Sequence, residues 1–126
     1  MNYYFSTVLN SDFDSAIASV TEALKKEGFG VLTEIDVKET FKKKLNLDFP
    51  KYRILGACNP QFAYEALQAE NKIGAMLPCN VIVQEHENGK VEVSAVDPVA
   101  SMMAVKNSKL ESTAAQVREK LNRVIQ

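Results

Sequence analysis

Asn80-Val81-Ile82-Val83-Gln84-Glu85-His86-Glu87, then Asn88-Gly89, then Lys90-Val91-Glu92-Val93-Ser94-Ala95-Val96 is the stretch that decides the fold. Val81 and Val83 share one parity on the first arm; Val91, Val93 and Ala95 share one on the second. Each arm therefore reads as a strand with one buried face. Asn-Gly between two such arms favours a two-residue type I′ turn, so the unit is expected to be a tight antiparallel hairpin. Glu85 and Glu92 are expected at wetter positions, and Asp97-Pro98 ends the second strand.

Upstream, Asn2–Leu9 is a strand with two usable faces, Tyr3, Phe5, Thr7 and Leu9 against Tyr4, Ser6 and Val8. Phe13, Ile17, Val20 and Leu24 then recur at helical spacing. Ser11 is the expected cap, with Asp14 in the first turn, and Gly28 the expected stop. Phe29–Ile35 is a second strand, and Asp36 caps a short helix with Val37, Phe41 and Leu45 on one side and lysines on the other. Tyr52–Ala57 is a third strand. Asn59-Pro60 starts a helix, because Asn caps well and Pro lacks only an amide hydrogen that has no partner in the first turn. Ile73–Leu77 is a turn or a single helical turn stopped by Pro78. Downstream, Val99–Lys106 holds a short helix, and Leu110, Ala114, Val117, Leu121 and Val124 mark a C-terminal one.

With no repeat or linker, 126 residues fit one domain spanning 1–126. The expected class is α+β: about five strands in a largely antiparallel or mixed sheet, with three to four helices mainly on one side. The uncovered sheet face, with Tyr4, Val96 and Ile82, must then meet water, a ligand or another subunit.

The composition is that of a folded chain, 46% hydrophobic and 25% charged, with a net charge of −1. Such a balance does not favour nucleic acid or an anionic membrane, which select basic surfaces. Met1-Asn2-Tyr3-Tyr4-Phe5 has no basic region followed by an apolar run, and no apolar stretch approaches the roughly 20 residues that span a bilayer. A cytoplasmic location is expected, with the two cysteines as free thiols.

Chemistry has few places to reside. Cys58 sits between a strand and a capped helix, where helix amides can stabilise a thiolate, although a small apolar filler fits equally. Cys79 lies 21 residues further on, so the pair is no Cys-x-x-Cys motif. Two cysteines and the single His86 fall short of the four ligands of a structural zinc site, and no metal or cofactor is expected. His86 stands about 20 Å along an extended strand from Cys79, too far for a Cys-His pair. Asp36 reads as a cap, Asp97 as a turn residue, and Glu34 as a strand-end carboxylate that can line a cleft. Neither a phosphate loop nor a serine elbow is present.

The chain resembles the DUF302 family. The likeness is carried by Gly28-Phe29-Gly30-Val31, Glu34-Ile35-Asp36-Val37, Phe41-Lys42-Lys43-Lys44-Leu45, Tyr52-Arg53-Ile54-Leu55-Gly56-Ala57-Cys58-Asn59-Pro60, Ile73-Gly74-Ala75-Met76-Leu77-Pro78-Cys79-Asn80-Val81 and Val93-Ser94-Ala95-Val96-Asp97-Pro98. The resemblance implies an α+β sandwich, homodimers and no established activity. Its characteristic positions fall on Glu34, Asp36, Cys58, Asn59, Pro60, Leu77, Pro78, Cys79, Asn80, Asp97 and Pro98.

The expected function is a homodimeric domain that binds a small ligand or a partner protein without catalysis. Glu34, Asp36, Cys58, Asn59, Cys79, Asn80 and Asp97 are the candidate cleft residues. Two alternatives stand beside it: a thiol-based enzyme or redox protein using Cys58 with Cys79, and an interaction module using the Lys38–Lys44 face.

Overall fold

The computed structural model describes residues 2–126. Five strands, β1 (Tyr4–Leu9), β2 (Gly30–Asp36), β3 (Tyr52–Cys58), β4 (Cys79–Glu85) and β5 (Val91–Val96), form one sheet in the order β1-β5-β4-β3-β2. Every neighbouring pair is antiparallel. The helices are α1 (Phe13–Lys26), α2 (Val37–Leu45), α3 (Pro60–Ala69), the single turn α4 (Pro98–Ser101) and α5 (Ser108–Ile125). Short 3₁₀ turns occupy Ile73–Met76 and Met103–Val105. The α+β class is as the sequence indicates.

The core follows from parity. Leu55 lies opposite Val81, Val81 opposite Ala95, and Ala95 opposite Phe5, so one row of apolar side chains crosses four strands. Val83 and Val93 form the next row. Apart from the partly buried Phe5, these side chains are buried against Phe13, Ala16, Val20 and Leu24 of α1 and Val117, Leu121 and Val124 of α5. Both helices present one apolar stripe to one face of the sheet, as their spacing requires.

The hairpin corrects one expectation. Its loop is Glu87-Asn88-Gly89, closed by hydrogen bonds from the Gly89 amide to the His86 carbonyl and from the His86 amide to the Lys90 carbonyl, each 2.9 Å. Only Gly89 has positive φ (81°), so this is a three-residue loop with a left-handed glycine, not a type I′ turn. Two physical reasons decide it. The Asn88 side chain accepts the Lys90 amide at 3.0 Å, which stabilises the wider loop. A two-residue loop would also slide the register by one position, and a one-residue slip turns a strand over. The observed loop pairs Val83 with Val93 and Val81 with Ala95 on the same face.

Helix ends show what stops each element. Asp12, not Ser11, caps α1, its carboxylate accepting the Ser15 amide at 2.8 Å. After α1 the Phe29 amide reaches the Leu24 carbonyl at 2.9 Å and the Gly28 amide reaches the Lys25 carbonyl at 3.0 Å. With Gly28 at φ 86° this is a Schellman ending, and Phe29 is buried beside Leu24 as that motif favours. Helix α2 departs from expectation more. None of its residues is buried, and Phe41 meets Phe49 edge-on at 5.0 Å outside the main core. Asp97 is a helix cap rather than a simple turn residue, accepting the Val99 amide at 3.0 Å to start α4.

Candidate functional site

Leaving β3, the chain turns at Cys58-Asn59 into α3. Asn59 accepts the Phe62 amide at 3.5 Å and donates from Nδ2 to the Glu27 carbonyl at 3.4 Å. One side chain thus ties the start of α3 to the end of α1. The second corner, Leu77-Pro78, joined by a cis peptide bond, leads into β4. Ala57 is the register partner of Cys79, so the two cysteine corners stand side by side at one end of the sheet. Cys58 is half-buried and Cys79 buried, and both are free thiols. Burial pushes the Cys79 thiol up to about 11, and nearby Cys58 adds to that effect.

These corners wall one end of an apolar cavity of about 370 Å³. Phe62, Ala63, Ala66 and Leu67 of α3 form one side, and Leu110, Thr113, Ala114 and Val117 of α5 face them. Phe29, Pro98 and Met102 complete the wall, and Thr33, Asn59 and Thr113 are its polar residues. A bulge between Val31 and Thr33 makes Leu32 the extra residue of β2. Leu32 lies at the cavity mouth 69% exposed, with Leu67 beside the opening at 42%. The arrangement can take up apolar surface; it holds no acid–base pair.

The close approach at this end depends on Gly56. A Cβ there would lie 2.8 Å from Pro78 Cγ and inside the contact distance of Thr33 Oγ1. The Leu77-Pro78 corner can therefore sit against β3 only over a residue without a side chain.

The remaining candidate residues are placed elsewhere. Asn80 begins the outward-facing row of β4 and is exposed. Asp97 is 5% exposed next to Pro98, held by its own helix cap and by Arg118 Nε at 3.2 Å. Glu34 and Asp36 lie towards the far end of β2, roughly 13–20 Å along the strand from Gly30. There Arg53 bridges them, NH1 to Glu34 and NH2 to Asp36 at 3.4 Å, while Asp36 also caps α2 through the Glu39 amide at 3.0 Å. The structure thus gathers Cys58, Asn59 and Cys79, sets Asp97 behind their wall, and leaves Glu34, Asp36 and Asn80 apart.

The α5 wall is not legible in the sequence. Leu110, Ala114 and Val117 follow the same helical stripe as Leu121 and Val124. Nothing in the pattern separates the turns that fill the core from those that line a hollow. Leu32 had no signal either, because a bulge is decided by pairing across strands. His86 sits by the hairpin turn, its Nε2 2.8 Å from Glu92 Oε1. The lysine face is engaged in its own contacts: Lys38 with the Phe49 carbonyl at 2.9 Å, Lys42 with Asp48 at 3.4 Å, Lys43 with Glu39 at 2.6 Å. Among the described residues no group of His, Cys, Asp and Glu is placed to hold a metal ion, and no helix is long and apolar enough to cross a membrane.

Residues 5–126 match a family model described as "Domain of unknown function DUF302". The fold is also similar to a crystal structure of an uncharacterized conserved protein DUF302 from Bacillus stearothermophilus, at 29% identity and a TM-score of 0.92, covering 99% of this chain and 97% of that one. No functionally curated protein matches the chain.

Proposed function

The chain belongs to the DUF302 family, and on that premise we propose that it is a non-catalytic, homodimeric binding domain whose ligand is a small, uncharged, apolar molecule. The observation that carries this reading is the cavity between α3 and α5. Its 370 Å³ falls in the lower part of the usual range for ligand pockets, about 300–1,000 Å³. Its lining is almost wholly apolar, so affinity comes from removing ligand surface from water, at roughly 25 cal/mol per Å². A charged ligand would lose its hydration there without gaining a counter-charge.

The same geometry weighs against a thiol enzyme. Cys79 is buried and remains a neutral thiol near pH 7, which ill suits a resolving thiolate. Cys58 at the wall is read as a contact residue. A cytoplasmic setting belongs to this reading, since two unpaired cysteines accord with a reducing compartment.

Titration with 1-octanol, followed by amide shifts in nitrogen-15 spectra, tests the proposal. Saturable shifts are expected at Cys58, Ala63, Leu67 and Val117. Ala63→Phe, which fills the cavity from α3, should abolish them while the remaining spectrum keeps its dispersion. Shifts that never saturate, or that survive Ala63→Phe, would remove the cavity as a binding site.

A further inference from the structure

We infer that two copies of this chain associate by stacking the open faces of their sheets, with Ile82 at the centre of the contact. The inference rests on the homodimer reading above and adds the surface to it. Helices cover one face of the sheet, whereas Tyr4, Ser6 and Val8 of β1, with their counterparts on the other strands, point the opposite way. β4 is the middle strand of five, and Ile82 is its middle residue. Across from it lie Ile54 on β3 and Ser94 on β5. Tyr3, Tyr4 and Val96 continue the surface around them.

The charge pattern names the occupant. Among the described strand residues on this face, Glu92 alone is charged, in a chain that is one-quarter charged overall. A face so poor in charge offers a nucleic acid or an acidic partner nothing to pair with, but a second copy meets almost no repulsion on it. Glu92 lies off centre and is partly answered within its own copy. Its carboxylate accepts from Ser6 and lies 2.8 Å from His86 Nε2, while Val8 and Gln84 flank it on the neighbouring strands. Five strands about 4.8 Å apart and about 20 Å long give a face of roughly 20 by 24 Å. With the relief of its side chains, that approaches the about 800 Å² per partner of a standard interface. A two-fold axis through Ile82 makes the contact isologous, so the ring of tyrosine, isoleucine and valine meets itself.

Sedimentation equilibrium of the wild-type chain and of Ile82→Lys is the experiment. The wild type is expected to dimerise, and Ile82→Lys to weaken the dimer at least about thirtyfold, the scale of a central hot spot. Glu92→Gln, by removing the one charge among the described strand residues of this face, should tighten it at pH 8. Amide shifts of wild-type Ile54, Ile82 and Ser94 should move with protein concentration, a readout that holds even if the lysine variant folds poorly. A dimer that survives Ile82→Lys, with no concentration-dependent shift at those three residues, overturns the surface and leaves the homodimer standing. A wild-type chain that stays monomeric overturns both, whether or not it binds phosphatidylcholine vesicles.

Discussion

Replacing Gly56 by Ala places one methyl group against the Pro78 ring and the Thr33 hydroxyl. Its Cβ would stand 2.8 Å from Pro78 Cγ and closer still to Thr33 Oγ1. The two clashes differ in how they can relax. Thr33 is exposed and can turn its hydroxyl away by rotating about χ1, whereas the Pro78 ring is fixed to the backbone that starts β4. Overpacking of this kind costs about 1–3 kcal/mol. Alanine returns about 0.4–1 kcal/mol by restricting the unfolded chain. The net expectation is a loss of about 1–2 kcal/mol, or a fall in Tm of about 4–8 °C for a domain of this size. Urea unfolding should show a lower midpoint with an unchanged slope. Thr33→Ala removes the hydroxyl and should recover only part of the loss in Gly56→Ala/Thr33→Ala, because Pro78 remains. A Gly56→Ala protein as stable as wild type would refute the reasoning, as would full recovery in the double variant.

Other outcomes follow from the same structure. At pH 8 a thiol reagent should modify Cys58 in the native protein and reach Cys79 only on unfolding. Because the folded state raises the Cys79 pKa from 9.0 to about 11, stability is fully present below pH 9 and falls as pH rises towards 11. The loss is roughly 2–3 kcal/mol by urea midpoints and should be absent in Cys79→Ala. Ser6→Ala should raise the Glu92 pKa in an NMR titration, since the Ser6 hydroxyl is the main cause of its lowering, ahead of His86. Asp97→Ala should cost about 1–2 kcal/mol, chiefly by losing the α4 cap, because Arg118 is half exposed and stays hydrated; Asp97→Asn, which keeps the cap oxygen, should lose less, and equal losses would show that the cap contributes nothing.

Legibility in the sequence tracked how local each cause is. The elements themselves, the caps at Asp36 and Asn59 and the glycine stop at Gly28 depend on neighbours within a few residues, and they read correctly. The hairpin loop did not, because the preference of Asn88-Gly89 competes with the demand that two valine sets share a face, and burial outweighs the turn. Helix α2 carries an apolar stripe that meets Phe49 and β3 rather than the main core. The candidate carboxylates Glu34 and Asp36 looked near a cleft because they end a strand, but which end of the sheet that is depends on strand direction. That the cysteine corners adjoin is likewise a fact of pairing, visible only once Ala57 faces Cys79.

The strand order also sets a timetable. β1 is the first made of these five strands, yet its partner is β5, so Tyr4 must wait for Val96 before the edge of the sheet can close. α1 meanwhile spans from β1 at one edge to β2 at the other, and the sheet that supports it is assembled last. Everything from β1 to β5 must leave the ribosome before the core row from Phe5 to Leu55 is complete. Contacts so distant in sequence slow folding, towards about milliseconds to seconds. Until then the apolar stripe of α1 and the row of β4 remain open to strangers, and the chain's most exposed moment falls before its first strand is paired.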